Sequence, residues 1–145
     1  VNLTYNHELF SVPENIYIIG MMNTADRSLA MMDYALRRRF SFFDVEPAFG
    51  TEMFRKHLES YIHTNGIVEK INKRFGKLNQ EIADDLGRGY RIGHSYFCNL
   101  LPDTIDDQVL SGIVEYELIP LLKEYWFDEP TKVKDWSSNL RSAIK

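Results

Sequence analysis

The chain has 145 residues, of which 44% are hydrophobic and 26% are charged, and its net charge is −4. This composition is typical of one compact domain or two small subdomains, and it excludes a disordered tail. The negative charge argues against a surface that holds nucleic acid by bulk charge, although a local basic patch stays possible. The single Cys98 excludes an internal disulfide and a multi-cysteine metal site, and it fits a reducing compartment such as the cytoplasm. No apolar run reaches the roughly 20 residues of a membrane span, and no histidine pattern predicts a metal site.

The first part of the chain predicts a small α/β unit. The run from Ile16 to Met22 is almost entirely apolar, as in a strand that is covered on both faces. Ser28 is a suitable N-cap for a helix that follows it. The predicted elements are strands at 1–5, 9–12, 16–22 and 40–45 and a helix at 29–38. The chain opens at Val1 within a strand-like run, so we expect a fragment whose upstream part is missing.

From Thr51 onward the pattern changes to helical spacing. The predicted helices cover 51–62, 67–82, a segment from Asp103 or Thr104 to about Tyr125, and 132–143. Pro120 should bend or interrupt the third of these, because it removes a backbone donor and crowds the preceding turn. Residues 86–100 contain three glycines among aromatic residues and predict a structured loop or a short hairpin. The predicted fold class is thus α/β plus all-α, with a partial core at 1–49 and a helical subdomain at 50–145.

The end of the apolar strand at 16–22 has the character of a phosphate site. In open α/β sheets, ligands bind beyond the carboxyl ends of the strands, and Asn23 would stand at such an end. Its amide can accept a hydrogen bond from water and donate one to a phosphate oxygen. Arg37, Arg38 and Arg39 follow at the end of the next predicted helix. Neighbours on a helix differ by about 100°, so at least one guanidinium can project toward another subunit.

Three separated segments resemble one family in the same order. The stretch with the core MNTADRS at 22–28 resembles the sensor-1 and arginine-finger region of AAA+ proteins, and its core resembles the McrB signature. The segments GYRIGHSYF at 89–97 and LIPLLKEYWFD at 118–128 resemble the McrB lid. McrB is the nucleotide-hydrolysing subunit of modification-dependent restriction systems. The resemblance implies a C-terminal piece of such a motor, namely part of the AAA+ core followed by the helical lid.

The resemblance also implies roles for particular residues. Asn23 would position the attacking water, and Asp26 and Arg27 would complete the signature loop. Arg38, with Arg37 or Arg39, would supply arginine fingers to the nucleotide of the next subunit, where such a finger is worth about 10³–10⁵ in rate. In the lid, the residues expected near the nucleotide are Arg91, His94 and Ser95. For His94, the surrounding aromatic residues are equally consistent with a packed, hydrogen-bonded side chain that does not contact the nucleotide.

Other features of this motor are implied by the resemblance alone. The intact protein would use GTP or ATP with Mg²⁺, form a homo-oligomeric ring, bind an McrC-like nuclease subunit and engage DNA through other domains. The sequence contains no G-x-x-x-x-G-K-[ST] loop and no apolar strand that ends in Asp-Glu. We therefore expect the chain alone to hold no nucleotide and to hydrolyse none.

Two alternatives stay open at this point. One is a MoxR-like AAA+ remodelling ATPase that acts on proteins, which the MNTADRS and GYRIGHSYF strings disfavour. The other is a non-catalytic module that docks a protein or DNA, if the natural chain begins at Val1. The sequence leaves the choice between GTP and ATP, the DNA specificity and the number of subunits undecided.

Overall fold

The computed structural model describes residues 11–23, 34–62, 66–98, 100 and 107–144. In these residues the regular elements are helical. They are α1 (Tyr34–Arg37), α2 (Glu52–Glu59), α3 (Ile67–Asp85), α4 (Asp107–Gly112), a π-helix (Ile113–Leu118), α5 (Ile119–Tyr125) and α6 (Pro130–Ala143), with 3₁₀ turns at Arg88–Tyr90 and His94–Phe97. No described helix is long and apolar enough to cross a membrane.

Helix α3 is the centre of the helical domain. One face of α3 carries apolar side chains at helical spacing, and Ile71, Phe75 and Ile82 are fully buried. Helices α2 and α6 both pack against α3. Burial of each such side chain contributes about 1.5–3 kcal/mol to folding. The predicted helix at 67–82 is therefore confirmed, and its apolar stripe is the core of the domain.

The other predicted helices of this part also form. Helix α2 begins after Thr51, whose Oγ1 accepts a hydrogen bond from the Phe54 backbone N–H at 3.3 Å. This N-cap satisfies one of the backbone donors that the first helical turn leaves free. The observed bounds of α2 and α6 differ by a few residues from the predicted 51–62 and 132–143. Helix ends fray, so such differences are ordinary.

Pro120 is accommodated by a change of helix type. The helix from Asp107 to Tyr125 is continuous, but its middle turn is π-helical. The Ile119 backbone N–H donates to the Val114 carbonyl, five residues earlier, immediately before the proline. A π turn widens the helix and relieves the crowding that a proline ring creates against the preceding turn. The proposed caps Asp103 and Thr104 lie outside the described residues.

Residues 86–98 form a loop that is stiffened by two 3₁₀ turns. The Tyr90 N–H donates to the Gly87 carbonyl at 3.1 Å, and the Cys98 N–H donates to the Ser95 carbonyl at 3.1 Å. These local turns take the place of the cross-strand ladder that a hairpin would need. The structured-loop prediction is confirmed here, and the hairpin alternative is wrong.

The predicted strands at 16–22 and 40–45 are not found, and the described residues contain no strand. Side chains there are open to solvent, with Ile19 91%, Met21 98% and Val45 91% exposed. A strand needs a neighbouring strand to pair its backbone groups, and the described residues supply none. A partial α/β core is thus not shown, and the expected strand at 1–5 lies outside the described residues. Of the expected helix at 29–38, only Tyr34–Arg37 is described as helical.

Candidate functional site

The loop at 89–97 is fixed to α3 by one buried side chain. The Asn79 amide is only 6% exposed, and its Oδ1 accepts from the Ile92 backbone N–H at 2.7 Å. Its Nδ2 donates to the Ile92 carbonyl at 2.8 Å. Ile92 is itself buried, so water cannot replace these two bonds. Asn79 therefore sets where the flanking residues Arg91 and His94 stand.

Both of those flanking residues bind the segment that enters the helical domain. We call residues 46–51 the linker. Arg91 Nη1 forms an ion pair with Glu46 Oε2, and the hydrogen bond from Arg91 lowers the pKa of the Glu46 carboxyl from its usual value. His94 Nδ1 accepts a hydrogen bond from the Ala48 backbone N–H at 3.1 Å. Because Nδ1 is the acceptor, a neutral His94 carries its proton on Nε2.

The linker has two further attachments to the domain. The Gly50 N–H donates to Asn72 Oδ1 at 2.9 Å, and Gly50 has a φ of 85°, which L-residues rarely adopt. The Phe49 ring stacks on Phe75 at 4.9 Å and meets Phe97 edge-on at 6.2 Å. These contacts join linker backbone, linker side chain and domain core. The predicted boundary between 49 and 50 stays a prediction, although Phe49 packs with the helical side.

A polar cavity of about 460 Å³ lies between the linker, α3 and the loop. Its charged lining residues are Glu46, Asp84, Arg88 and Arg91. Arg91 is already paired with Glu46, so an anionic ligand would have to displace that carboxylate to reach it. Arg88 is the cation of this cavity that has no ion pair with a carboxylate in the described part of the chain. The cavity is therefore only partly suited to a phosphate group.

The three lid residues expected near a nucleotide do not share one cavity. Arg91 lines the polar cavity just described, whereas Ser95 lines a second cavity of about 640 Å³ beside the π-helix. His94 packs edge-on against the Phe54 ring at 5.3 Å and holds the linker through Nδ1. The packed and hydrogen-bonded alternative for His94 thus describes its contacts. A nucleotide role for the three residues stays a prediction.

The other predicted site residues lie outside the helical domain. Asn23 is described as exposed, and Asp26 and Arg27 fall outside the described residues. The Arg38 guanidinium lies over the Tyr34 ring at 4.8 Å, and the exposed Arg37 lies over the Phe42 ring at 5.5 Å. Arg39 is exposed. Cation–π contacts at exposed sites are worth about 0.5–1 kcal/mol, so a phosphate could outcompete them.

Sequence reasoning missed the buried polar residues that organise the loop and the linker. Asn72 and Asn79 lie on the same face of α3 as the apolar residues, and both are nearly buried. A buried asparagine needs a hydrogen-bond partner. An asparagine within the apolar stripe of a predicted helix is therefore a signal in the sequence for such a bond. Asp85 was missed too: it accepts from Trp126 Nε1 at 2.9 Å and pairs with Lys132. Among the described residues, no group of three or more His, Cys, Asp or Glu is placed to hold a metal ion.

Comparison with known families identifies the helical part. Residues 70–134 match the family model described as McrB, alpha-helical lid domain. This range runs from α3 through the loop and the π-helix to the start of α6, so it contains the interactions that hold the loop. The class of this part of the chain is therefore an α-helical lid domain of McrB type.

A curated relative extends the similarity to nearly the whole chain. The chain is 52% identical over 148 residues to the Type IV methyl-directed restriction enzyme EcoKMcrB subunit of Escherichia coli strain K12. The match covers 97% of this chain and 32% of that protein, so the chain spans about a third of the length of its relative. The resemblance to the McrB family is thus confirmed over nearly the whole chain.

Proposed function

We propose that this chain supplies the lid and the sensor and arginine residues of a nucleotide-driven motor in an McrBC-like restriction system. The observation that carries the proposal is the 52% identity over 97% of the chain, because it extends from the lid across Asn23 and the three arginines. The relative is named as a subunit of a methyl-directed restriction enzyme. An McrC-like nuclease subunit, a ring of like subunits and DNA would be the partners.

The apolar residues before the lid are exposed, which supports the proposal that another layer of protein covers them in the intact motor. Ile16 to Met22 and Phe40 to Val45 contain side chains that are largely solvent-exposed in the structure. Large contiguous apolar surfaces on soluble proteins mark places where other protein packs. The remaining part of an α/β core would cover these residues and let them form strands. Asn23 directly follows the first of these segments, and Arg37–Arg39 directly precede the second.

Nucleotide would bind between such a core and the lid. GTP or ATP with Mg²⁺ supplies the phosphoryl group that the motor transfers to water. In this chain Asn23 would orient that water, and Arg38 with Arg37 or Arg39 would stabilise charge on the phosphoryl group in a neighbouring subunit. Arg88 and Arg91 fit the edge of an anion site, with Arg91 restrained by Glu46. The sequence lacks a phosphate-binding loop, so the purified chain should show no GTP or ATP turnover above background.

A chimera tests the proposal. The aligned third of the E. coli relative is replaced by this chain, and methyl-directed restriction is measured in cells that lack the relative. We expect the chimera to restore restriction and to hydrolyse GTP or ATP when purified. A matched chimera with Asn23→Ala and Arg38→Ala should be stable and inactive. A folded chimera without hydrolysis or restriction would contradict the motor proposal and favour a non-catalytic interaction module.

A further inference from the structure

We infer that Arg91, His94 and Asn72 are positioning residues that clamp the linker to the lid, so that the lid and the linker move as one body. The inference rests on the proposed function only for its consequence in hydrolysis. The clamp itself is a property of the described residues. It assigns two residues that the sequence placed near the nucleotide, Arg91 and His94, to a mechanical task.

The attachments are spread along the linker. Glu46 is held by Arg91, the Ala48 N–H by His94 and the Gly50 N–H by Asn72. Between them, the Phe49 ring is inserted against Phe75. Contacts at four positions of so short a segment leave its backbone little freedom to turn relative to the lid. A hinge between the lid and whatever precedes it must then lie before Glu46.

The three clamping residues are themselves held rigidly. Arg91 and His94 flank Ile92, which Asn79 fixes to α3 through two hydrogen bonds. Asn72 lies on the same face of α3 as Asn79, about two turns earlier, and its Nδ2 donates to the Val68 carbonyl at 3.1 Å. The clamp is thus anchored to α3, whose apolar face contributes to the core of the domain. Side chains locked in this way transmit displacement rather than absorb it.

The position of the clamp gives it a consequence for the arginines. Only residues 40–45 separate Arg39 from the clamped linker. A rotation of the lid would therefore displace Val45, where this connection joins the linker. Val45 is close in the chain to Arg37–Arg39. In the proposed motor, lid position and arginine position would be coupled in this way. Neither Arg91 nor His94 needs to touch nucleotide for this coupling.

Label distances in the 145-residue chain test the clamp without any hydrolysis. Spin labels are attached to Val45→Cys and Phe127→Cys, two exposed positions, in a Cys98→Ser background. We expect a narrow distance distribution in this parent and a broad one after His94→Phe with Arg91→Met. His94→Asn should keep the narrow distribution better than His94→Phe, because its amide oxygen can replace the Nδ1 acceptor. The matched control is Arg141→Met, which breaks another Arg–Glu pair, with Glu115, inside the lid.

Amide exchange gives a second reading of the same clamp. Exchange at Ala48 should accelerate by about fivefold in His94→Phe, because a lost hydrogen bond of about 1 kcal/mol corresponds to that factor at 25 °C. Exchange within α3 should stay unchanged, which shows that the lid is folded. Glu46→Arg should broaden the label distances, and adding Arg91→Glu should narrow them again. Unchanged distances and unchanged Ala48 exchange in His94→Phe with Arg91→Met would overturn the clamp.

The chimera separates the clamp from a nucleotide contact. The clamp predicts that His94→Phe lowers the hydrolysis rate while nucleotide affinity stays within a few-fold. A large loss of affinity with narrow label distances would instead make His94 a nucleotide contact and overturn the clamp. An inactive parent chimera would count against the proposed function alone, because the label distances and exchange rates still decide the clamp.

Discussion

Asn79 and Ile92 form a closed pair in which one side-chain amide satisfies both backbone groups of a buried residue, with distances of 2.7 and 2.8 Å. The pair joins α3 to the middle of the loop at 89–97. The side-chain amide of Asn79 offers one donor and one acceptor to the acceptor and donor of the Ile92 backbone, so the donor and the acceptor of Ile92 are both paired. It explains how a loop rich in glycine holds Arg91 and His94 in defined places.

Removal of the Asn79 amide should destabilise the lid. Asn79→Ala leaves the buried N–H and carbonyl of Ile92 without partners, and each such group costs about 1–3 kcal/mol. We expect the free energy of unfolding of the 145-residue chain to fall by roughly 2–4 kcal/mol in urea titrations. Gln80→Ala is the matched control, because the exposed Gln80 donates its side-chain hydrogen bond to Asp84 on the same helix. Equal, small losses for both variants would show that the Asn79–Ile92 pair contributes little.

Asp85 should make the stability of the lid depend on pH in the acid range. The hydrogen bond from Lys132 lowers the pKa of the Asp85 carboxyl, and the Trp126 indole adds to this effect. Because the folded-state pKa lies below the unfolded value of about 3.9, this stabilisation is fully present above that pH. It is lost as the pH falls through the folded pKa.

The test compares Asp85→Asn with the parent chain by urea unfolding from pH 7 to pH 2.5. Asparagine still offers an oxygen to Trp126 but no charge to Lys132. We expect the variant to be less stable at pH 7 and the difference to shrink below about pH 4. Asp84→Asn, at a neighbouring exposed position, is the matched control. A difference that grows toward low pH would have the wrong sign for this interaction.

The helices of the lid could be predicted from the sequence, whereas the region before it could not. The stripe of Ile71, Phe75 and Ile82 repeats at the helical period and finds its partners within the same chain. The apolar run at 16–22 carries an equally clear strand signal. A strand, however, depends on neighbouring strands, and the described residues contain none. The pattern there therefore indicates a preference for extended backbone that has no pairing strand in the described residues.

The sequence predicted which residues belong to the candidate site, but it did not predict which groups they contact. Arg91 and His94 were expected near a phosphate because they lie in a segment that resembles the McrB lid. Their observed partners, Glu46 and the Ala48 N–H, lie far away in sequence. No local pattern encodes such pairings, because they arise only when the linker returns across α3. The π-helix before Pro120 was missed for a related reason. The sequence shows that the proline crowds the preceding turn, but it does not show whether the helix bends, breaks or widens there.

Asn23 should affect the rate of hydrolysis more than the affinity for nucleotide. In the active chimera, Asn23→Ala removes an interaction that is made mainly in the transition state, so the turnover rate should fall by about 10²-fold or more. The dissociation constant for nucleotide should change by no more than a few-fold. Asn15→Ala, another exposed asparagine before the lid, is the control. Parallel losses of affinity and rate would reduce Asn23 to a ground-state contact.

Arg38 provides the most direct test of the proposed motor, because a finger acts on the neighbouring subunit. Chimeric subunits with Arg38→Ala are mixed with subunits whose phosphate-binding loop is disabled, and GTP and ATP hydrolysis is measured across mixing ratios. Lysine should substitute poorly, since it lacks the planar fork of a guanidinium. Arg55→Ala is the control, because Arg55 forms only ion pairs on the surface of α2. Single changes at Arg37 and Arg39 show whether either shares the role.

We expect each kind of subunit alone to bind nucleotide or to assemble but to hydrolyse almost nothing, while the mixture regains partial activity. Activity returns only where an intact pocket meets an intact arginine at an interface. Full hydrolysis by Arg38→Ala, Arg37→Ala and Arg39→Ala subunits tested singly would contradict a single essential finger. No recovery in the mixture, with assembly intact, would contradict action between subunits.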